Sequence, residues 1–137
     1  MLSLRQFLQS LRFAWRGLLL VARSEQNFRI QLSVAGAVGV LAMLFRIRVG
    51  EVLVLALVAT AVLVLECINS AVERLLDLVQ PRLHGYVREI KDMMAAAVLV
   101  ASLGAALIGG VILLPYCWAY MVRGAQWWSG GALVGTS

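Results

Sequence analysis

Hydrophobic residues fall along this chain in one amphipathic stretch followed by three long apolar blocks. Leu4, Phe7, Leu8, Leu11, Trp15 and Leu18 recur at helical spacing, which predicts a helix over 4–23 with one apolar side. Arg5, Arg12, Arg16 and Arg23 are spaced by seven, four and seven residues and share one narrow edge of that helix. Such a helix is expected to lie in a membrane interface, apolar side sunk and basic edge toward lipid phosphates. A soluble helix packing on a core is the alternative, but no soluble core follows in the chain.

The first apolar block predicts a span over 28–48, with Arg29 and Arg46 near its ends able to snorkel outward. The second predicts a helix over 51–79, yet it is free of charge only from Val52 to Leu65. Fourteen residues make about 21 Å of helix, short of a hydrocarbon core of about 30 Å. If the segment crosses, Glu66 lies near or inside the cytoplasmic leaflet. The third block carries no formal charge from Met93 to Tyr120 and predicts a span over 92–120. Ala97, Ala101, Ala105 and Gly109 recur along it every four residues, a small-residue stripe that favours close helix packing in lipid. One membrane domain over 1–121 results, all-α in class, with a tail over 122–137 carrying Trp127 and Trp128 as an interfacial anchor before a Gly- and Ser-rich end.

Composition supports lipid as the solvent. Of 137 residues, 62% are hydrophobic and 14% charged, and mean hydropathy is +0.90. A soluble domain of this size cannot hide so much apolar surface. The net charge of +5 rests on 12 basic residues, Lys91 the only lysine among them, and fits anionic headgroups better than nucleic acid. Arg5, Arg12, Arg16, Arg23, Arg29, Arg74, Arg82, Arg88 and Lys91 would share one side of a three-span chain, against Arg46, Arg48 and Arg123 on the other. The positive-inside rule then puts the N-terminus and the second connection in the cytoplasm. No removable signal peptide is expected, since the early apolar run Leu18–Ala22 is too short for one. A bacterial cytoplasmic membrane is the expected location. Cys67 and Cys117 have no metal-ligand spacing and read as apolar fillers.

Glu66, Asn69, Ser70, Glu73 and Asp77 gather the chemistry. Their spacing confines all five to a sector of about 100° on one helix, and the three carboxylates to about 40°. Ionisable groups at membrane depth cost several kcal/mol unless paired, hydrated or coordinated, and a divalent cation would relieve the repulsion among three acids. A solvated helix end is the bland alternative, strongest for Asp77. Pro81 is expected to end that helix, and Lys91 with Asp92 to stand where the next begins. There an ammonium beside free backbone N–H groups forms a phosphate site, although a snorkelling lysine fits almost as well. Glu25, at the junction of the surface helix and first span, either pairs with Arg29 or lends an oxygen to a metal held by Glu73. His84 reads as a loop or capping residue. No Walker A, GxGxxG, HExxH or GxSxG pattern occurs, so any ATP is bound without a P-loop.

From about Phe13 to Leu114 the sequence resembles the small prokaryotic integral-membrane lipid kinases, diacylglycerol kinase and undecaprenol kinase. The resemblance rests on Ala14-Trp15-Arg16-Gly17, on Ser24-Glu25-Gln26-Asn27-Phe28-Arg29, on Glu66-Cys67-Ile68-Asn69-Ser70-Ala71-Val72-Glu73 with Asp77 and His84, and on Lys91-Asp92-Met93. It implies ATP-dependent phosphorylation of a membrane lipid alcohol, diacylglycerol or alternatively undecaprenol, by a homotrimer with sites shared between subunits. It implies Glu66 as general base, Glu25 and Glu73 as ligands of Mg²⁺, and a nucleotide site drawing on these two with Asn69, His84, Lys91 and Asp92. The lipid is expected to meet Glu66, Trp15 and Arg16. The chain departs from the family pattern at Arg82, usually acidic, at Phe13, a tyrosine in one branch, and at Met94 and Ala97, often glycine in one branch or the other. The stretch 24–31 is closer to the undecaprenol type. An ion-conducting subunit and a structural membrane protein are the readings from other classes. The first would need acids continuing across the membrane, and the second would tolerate loss of Glu66 and Glu73 together.

Overall fold

The computed structural model describes residues 3–79 and 84–131 and is all-helical: α1 Leu4–Ser24, α2 Gln26–Leu44, α3 Val49–Val79 and α4 His84–Gly131. Ser3 starts α1 through a capping box, accepting from the Gln6 N–H at 3.3 Å while the Gln6 side chain accepts from the Ser3 N–H at 3.2 Å. No residue of α1 is buried against the other helices.

The turn from α1 into α2 takes a single residue. Glu25 is extended (φ −100°, ψ 117°) and caps the end of one helix and the start of the next. The last carbonyls of α1, which have no intrahelical partner, are met from α2: the Arg29 guanidinium donates to Arg23 O at 3.0 Å and Ala22 O at 3.4 Å. Arg29 therefore caps α1, and the ion pair with Glu25 belongs to another arginine, Arg74.

α2 ends at Leu44, four residues before the predicted end of the first span. Phe45 closes it and Arg46 takes the left-handed conformation, φ 51°. The Ile47 N–H reaches Ala42 O at 3.1 Å and the Arg46 N–H reaches Met43 O at 3.3 Å. This is a Schellman ending, and the two residues that such an ending brings together, Ala42 and Ile47, are both apolar and buried.

α3 begins within two residues of expectation. Its 31 residues make about 46 Å of helix, more than a bilayer core, so one end stands beyond the hydrocarbon. α4 departs from expectation at both ends. It starts at His84, eight residues before the predicted span, and its backbone stays helical to Gly131, past the predicted start of the tail and through Pro115. The sequence reading took charge as a stop signal. Val87 and Val98 are buried, Lys91 and Met94 half-buried, and these four continue one helical stripe while Arg88, Glu89 and Asp92 occupy the exposed side. Lys91 is consequently two turns inside a helix, where backbone N–H groups already serve intrahelical bonds, and the helix-start phosphate site expected there is absent. Pro81 and Arg82 lie outside the described residues.

α3 is the centre of the arrangement, packing chiefly on α4 and α2 and lightly on α1. Gln26–Leu44, Val49–Leu78 and Gly85–Val122 are long and apolar enough to cross a bilayer. The core of the single chain is small: Phe28, Ala42, Ile47, Leu55, Val62, Val87 and Val98. Leu53, Leu57, Leu99, Leu103, Leu107 and Val111 point outward, the pattern of helices whose outer faces meet lipid or one another.

Candidate active site

Three buried polar side chains lie in consecutive turns of α3: Glu66 (2% exposed), Asn69 (8%) and Ser70 (1%). The helical period that groups them also decides what they face. Glu66 turns toward Gln31 on α2, and the charges of Glu25 and Glu73 both act on it. Asn69 Nδ2 donates to Glu73 Oε1 at 3.0 Å, orienting that carboxylate one turn on. Asn69 Oδ1, Ser70 Oγ and Gln31 Oε1 are buried and have no hydrogen-bond partner among the described residues. Buried polar atoms are nearly always satisfied, so three such atoms on α3 and the facing turn of α2 leave room for a ligand or water to pair with them.

Glu25 reaches this region from the α1–α2 junction. Its Oε1 accepts from Ser24 Oγ at 2.9 Å and lies 3.7 Å from the Arg74 guanidinium, which itself donates to Ser24 Oγ at 2.7 Å. Farther along α3, Asp77 pairs with Lys91 of α4 at 2.5 Å, tying the lower ends of the two helices together.

The structure thus brings Glu25, Glu66, Asn69 and Glu73 to one neighbourhood and sets Lys91 at its edge, where the Glu73 charge is also felt. Asp92 is exposed, with no polar partner among the described residues. Trp15 is 61% exposed and Arg16 is exposed, both on the side of α1 away from α3. The edge of α1 that faces α3 is Ala14, Gly17, Leu18 and Val21, lining a crevice of about 390 Å³ with Cys67, Ser70, Ala71 and Arg74. The His84 side chain lies outside the described residues.

Sequence reasoning missed Gln31 as a partner of the site and Arg74 as the partner of Glu25. A signal for Gln31 exists: with Phe28, Ala35, Val38 and Ala42 it forms the inward stripe of α2, and it is the polar member of that stripe. Gln31 also lies at the mouth of an apolar crevice of about 370 Å³ between α2, α3 and α4, lined deeper by Val34, Val38, Leu55 and Val62. Ala105 and Gly109 of the predicted small-residue stripe line its far wall, Gly109 coming within 4.0 Å of Leu55 as measured from where a Cβ would stand.

The donor set suits a hard divalent cation. Glu25, Glu73 and Asn69 offer oxygen alone, and Mg²⁺ takes oxygen ligands with one or two carboxylates. Among the described residues no three His, Cys, Asp or Glu side chains converge on one point, so a metal here would draw its remaining ligands from water or phosphate.

Fold and site define an integral membrane protein with three spans and a buried carboxylate set at one end of the central one. The family model for prokaryotic diacylglycerol kinase matches residues 12–113. A diacylglycerol kinase of Synechocystis sp. is 38% identical over 116 residues, 84% of this chain and 66% of that protein. An undecaprenol kinase of Bacillus subtilis is 32% identical over 113 residues, 82% of this chain and 92% of that protein. No solved structure matches the chain. The chain belongs to the prokaryotic diacylglycerol kinase family, and with it to the membrane lipid kinases.

Proposed function

We propose that this chain transfers the γ-phosphoryl group of ATP to the primary hydroxyl of a membrane lipid, diacylglycerol being the first reading. The observation that carries it is the buried Glu66 among unpartnered oxygens, beside two further carboxylates, in a chain of this family. Undecaprenol is the second reading. It is favoured by the match that covers 92% of the Bacillus undecaprenol kinase, whereas the chain spans 66% of the Synechocystis diacylglycerol kinase.

Glu66 accepts the hydroxyl proton as the lipid oxygen attacks phosphorus and ADP departs. General-base help of this kind contributes about 10²–10⁴-fold. Burial with little solvent around it keeps this carboxylate available to the alcohol instead of to bulk water. Glu25 and Glu73 hold Mg²⁺, which supplies charge neutralisation on the phosphates. Asn69 fixes the Glu73 carboxylate through its 3.0 Å bond and offers its free Oδ1 to the nucleotide side. Lys91 neutralises phosphate charge by exchanging its Asp77 partner for the nucleotide, with His84 and Asp92 nearby in the chain. Trp15 and Arg16 meet the lipid from α1, whose amphipathic pattern supports a position in the interface.

The same reading includes a homotrimer with sites shared between neighbours, supported by the outward apolar faces of α3 and α4. It places the N-terminus and the site in the cytoplasm of a bacterium, supported by nine basic residues against three across the membrane. Purified chain in lipid nanodiscs, given labelled ATP and separately diacylglycerol, undecaprenol and a long-chain alcohol, tests the proposal. Label is expected in one lipid; ATP consumption that does not depend on any lipid alcohol would sink it.

A further inference from the structure

Arg74 has no part in the mechanism above, yet it occupies one of the two carboxylates assigned to the metal. It stands next to Glu73 in sequence but points about 100° away around α3, toward the α1–α2 junction. There its guanidinium lies 3.7 Å from Glu25 Oε1 and donates to Ser24 Oγ at 2.7 Å, while Ser24 donates to the same Glu25 oxygen at 2.9 Å. The Ser24 hydroxyl shares its one hydrogen between Glu25 and Leu20 O, 3.0 Å away, and the guanidinium is the cation that already neutralises Glu25. Arg74 is half-exposed and Glu25 less so, so the guanidinium can leave toward solvent while the carboxylate stays in place.

We propose that Arg74 is a resident counter-ion that competes with divalent metal for Glu25. The inference rests on the metal assignment of Glu25 made above. A divalent ion on Glu25 at coordination distance would meet a guanidinium within a few ångströms, and like charges so close are not held together. Metal entry therefore requires the pair to open. In the resting chain the charge of Glu25 is balanced by Arg74; once Arg74 is displaced, its planar fork of N–H donors stands at the rim, suited to phosphate oxygens that arrive with the metal. The expected consequence is weak binding of metal alone and stronger binding of metal with nucleotide.

The test is Mn²⁺ titration of the full chain in nanodiscs without nucleotide, followed by electron paramagnetic resonance. Arg74→Ala is expected to tighten Mn²⁺ about two- to fivefold, the equilibrium equivalent of an exposed ion pair, and Arg74→Lys to stay near wild type. Ser24→Ala, which removes the anchor of the guanidinium while sparing both charges, is expected to tighten Mn²⁺ by less. A purely structural role for Arg74 predicts the opposite sign, because a loosened junction binds metal more weakly. Unchanged or weaker Mn²⁺ binding in both Arg74→Ala and Ser24→Ala overturns the proposal. Glu25→Gln, measured alongside, separates the two ideas: Mn²⁺ affinity indifferent to Glu25→Gln removes the metal assignment itself, and the competition with it.

Discussion

The ammonium of Lys91 on α4 rests on the carboxylate of Asp77 on α3, 2.5 Å from its Oδ1. The pair joins α3 to α4 and leaves Lys91 facing the acidic stripe instead of standing at a helix start. A lysine so placed can serve a phosphate only by trading one anion for another, and Asp77 then acts as its store.

Lys91→Met should raise KM for ATP about ten- to a hundredfold, the equivalent of one charge-assisted hydrogen bond of about 1.5–3 kcal/mol. Asp77→Asn removes only the competitor, so KM for ATP should fall or hold while turnover changes little. Steady-state kinetics over a range of ATP at saturating lipid checks both. An unaltered KM in Lys91→Met would remove Lys91 from the nucleotide site.

Glu66→Gln keeps size and shape at a position 2% exposed and removes the proton acceptor. Turnover should drop about 10²–10⁴-fold. Stability should hold or rise, because a carboxylate buried beside Glu25 and Glu73 pays for its desolvation with little return. Thermal unfolding in detergent, run beside the lipid kinase assay, reads both effects. A mutant that is inactive because it is unfolded would show a lowered midpoint, which is the outcome this argument forbids.

Much of this was legible from residues because lipid imposes simple accounting. Fourteen uncharged residues cannot fill a bilayer core, which singles out Glu66 from the sequence, and among the described residues Glu66 is one of the most buried polar side chains. The start of α3 followed from the same apolar run. The start of α4 did not: Lys91 and Asp92 read as its first turn, whereas the helix begins at His84, with Arg88, Glu89 and Asp92 on its solvated side and Lys91 on its inner stripe. The Arg74–Glu25–Ser24 set was illegible for a different reason. Its members are about fifty residues apart, and an arginine near a cytoplasmic end reads equally well as a headgroup ligand. The end of α2 carried no glycine to announce it.

At the far end of α3, Tyr116 of α4 donates to Glu51 Oε2 at 2.5 Å, and Phe45 packs on Tyr120 with ring centroids 5.6 Å apart. Glu51 is fifteen residues from Glu66, about 22 Å along the helix. Tyr116→Phe should therefore cost about 1–3 kcal/mol of stability by stranding a half-buried carboxylate, with KM and turnover unchanged. Glu51→Gln, which still accepts from the phenol, should cost less. Loss of activity at temperatures where Tyr116→Phe remains folded would contradict the separation of the two ends.

The ending of α2 provides a prediction that depends on backbone alone. Arg46 holds φ 51°, and a residue with a Cβ sustains a left-handed conformation at a cost of about 1–2 kcal/mol. Glycine removes that cost but gives back part of it through the greater freedom of the unfolded chain, about 0.5–1 kcal/mol. Arg46→Gly should thus be neutral or stabilising by up to about 1 kcal/mol, whereas Arg46→Val should destabilise, since β-branching makes this conformation harder still. Removing a positive charge here strengthens the bias that keeps basic residues on the other side, so orientation in the membrane should not confuse the comparison. The expected order of unfolding midpoints is glycine at or above wild type, and valine below both. Valine at or above wild type would mean that the Ala42 to Ile47 closure is not what stops the helix.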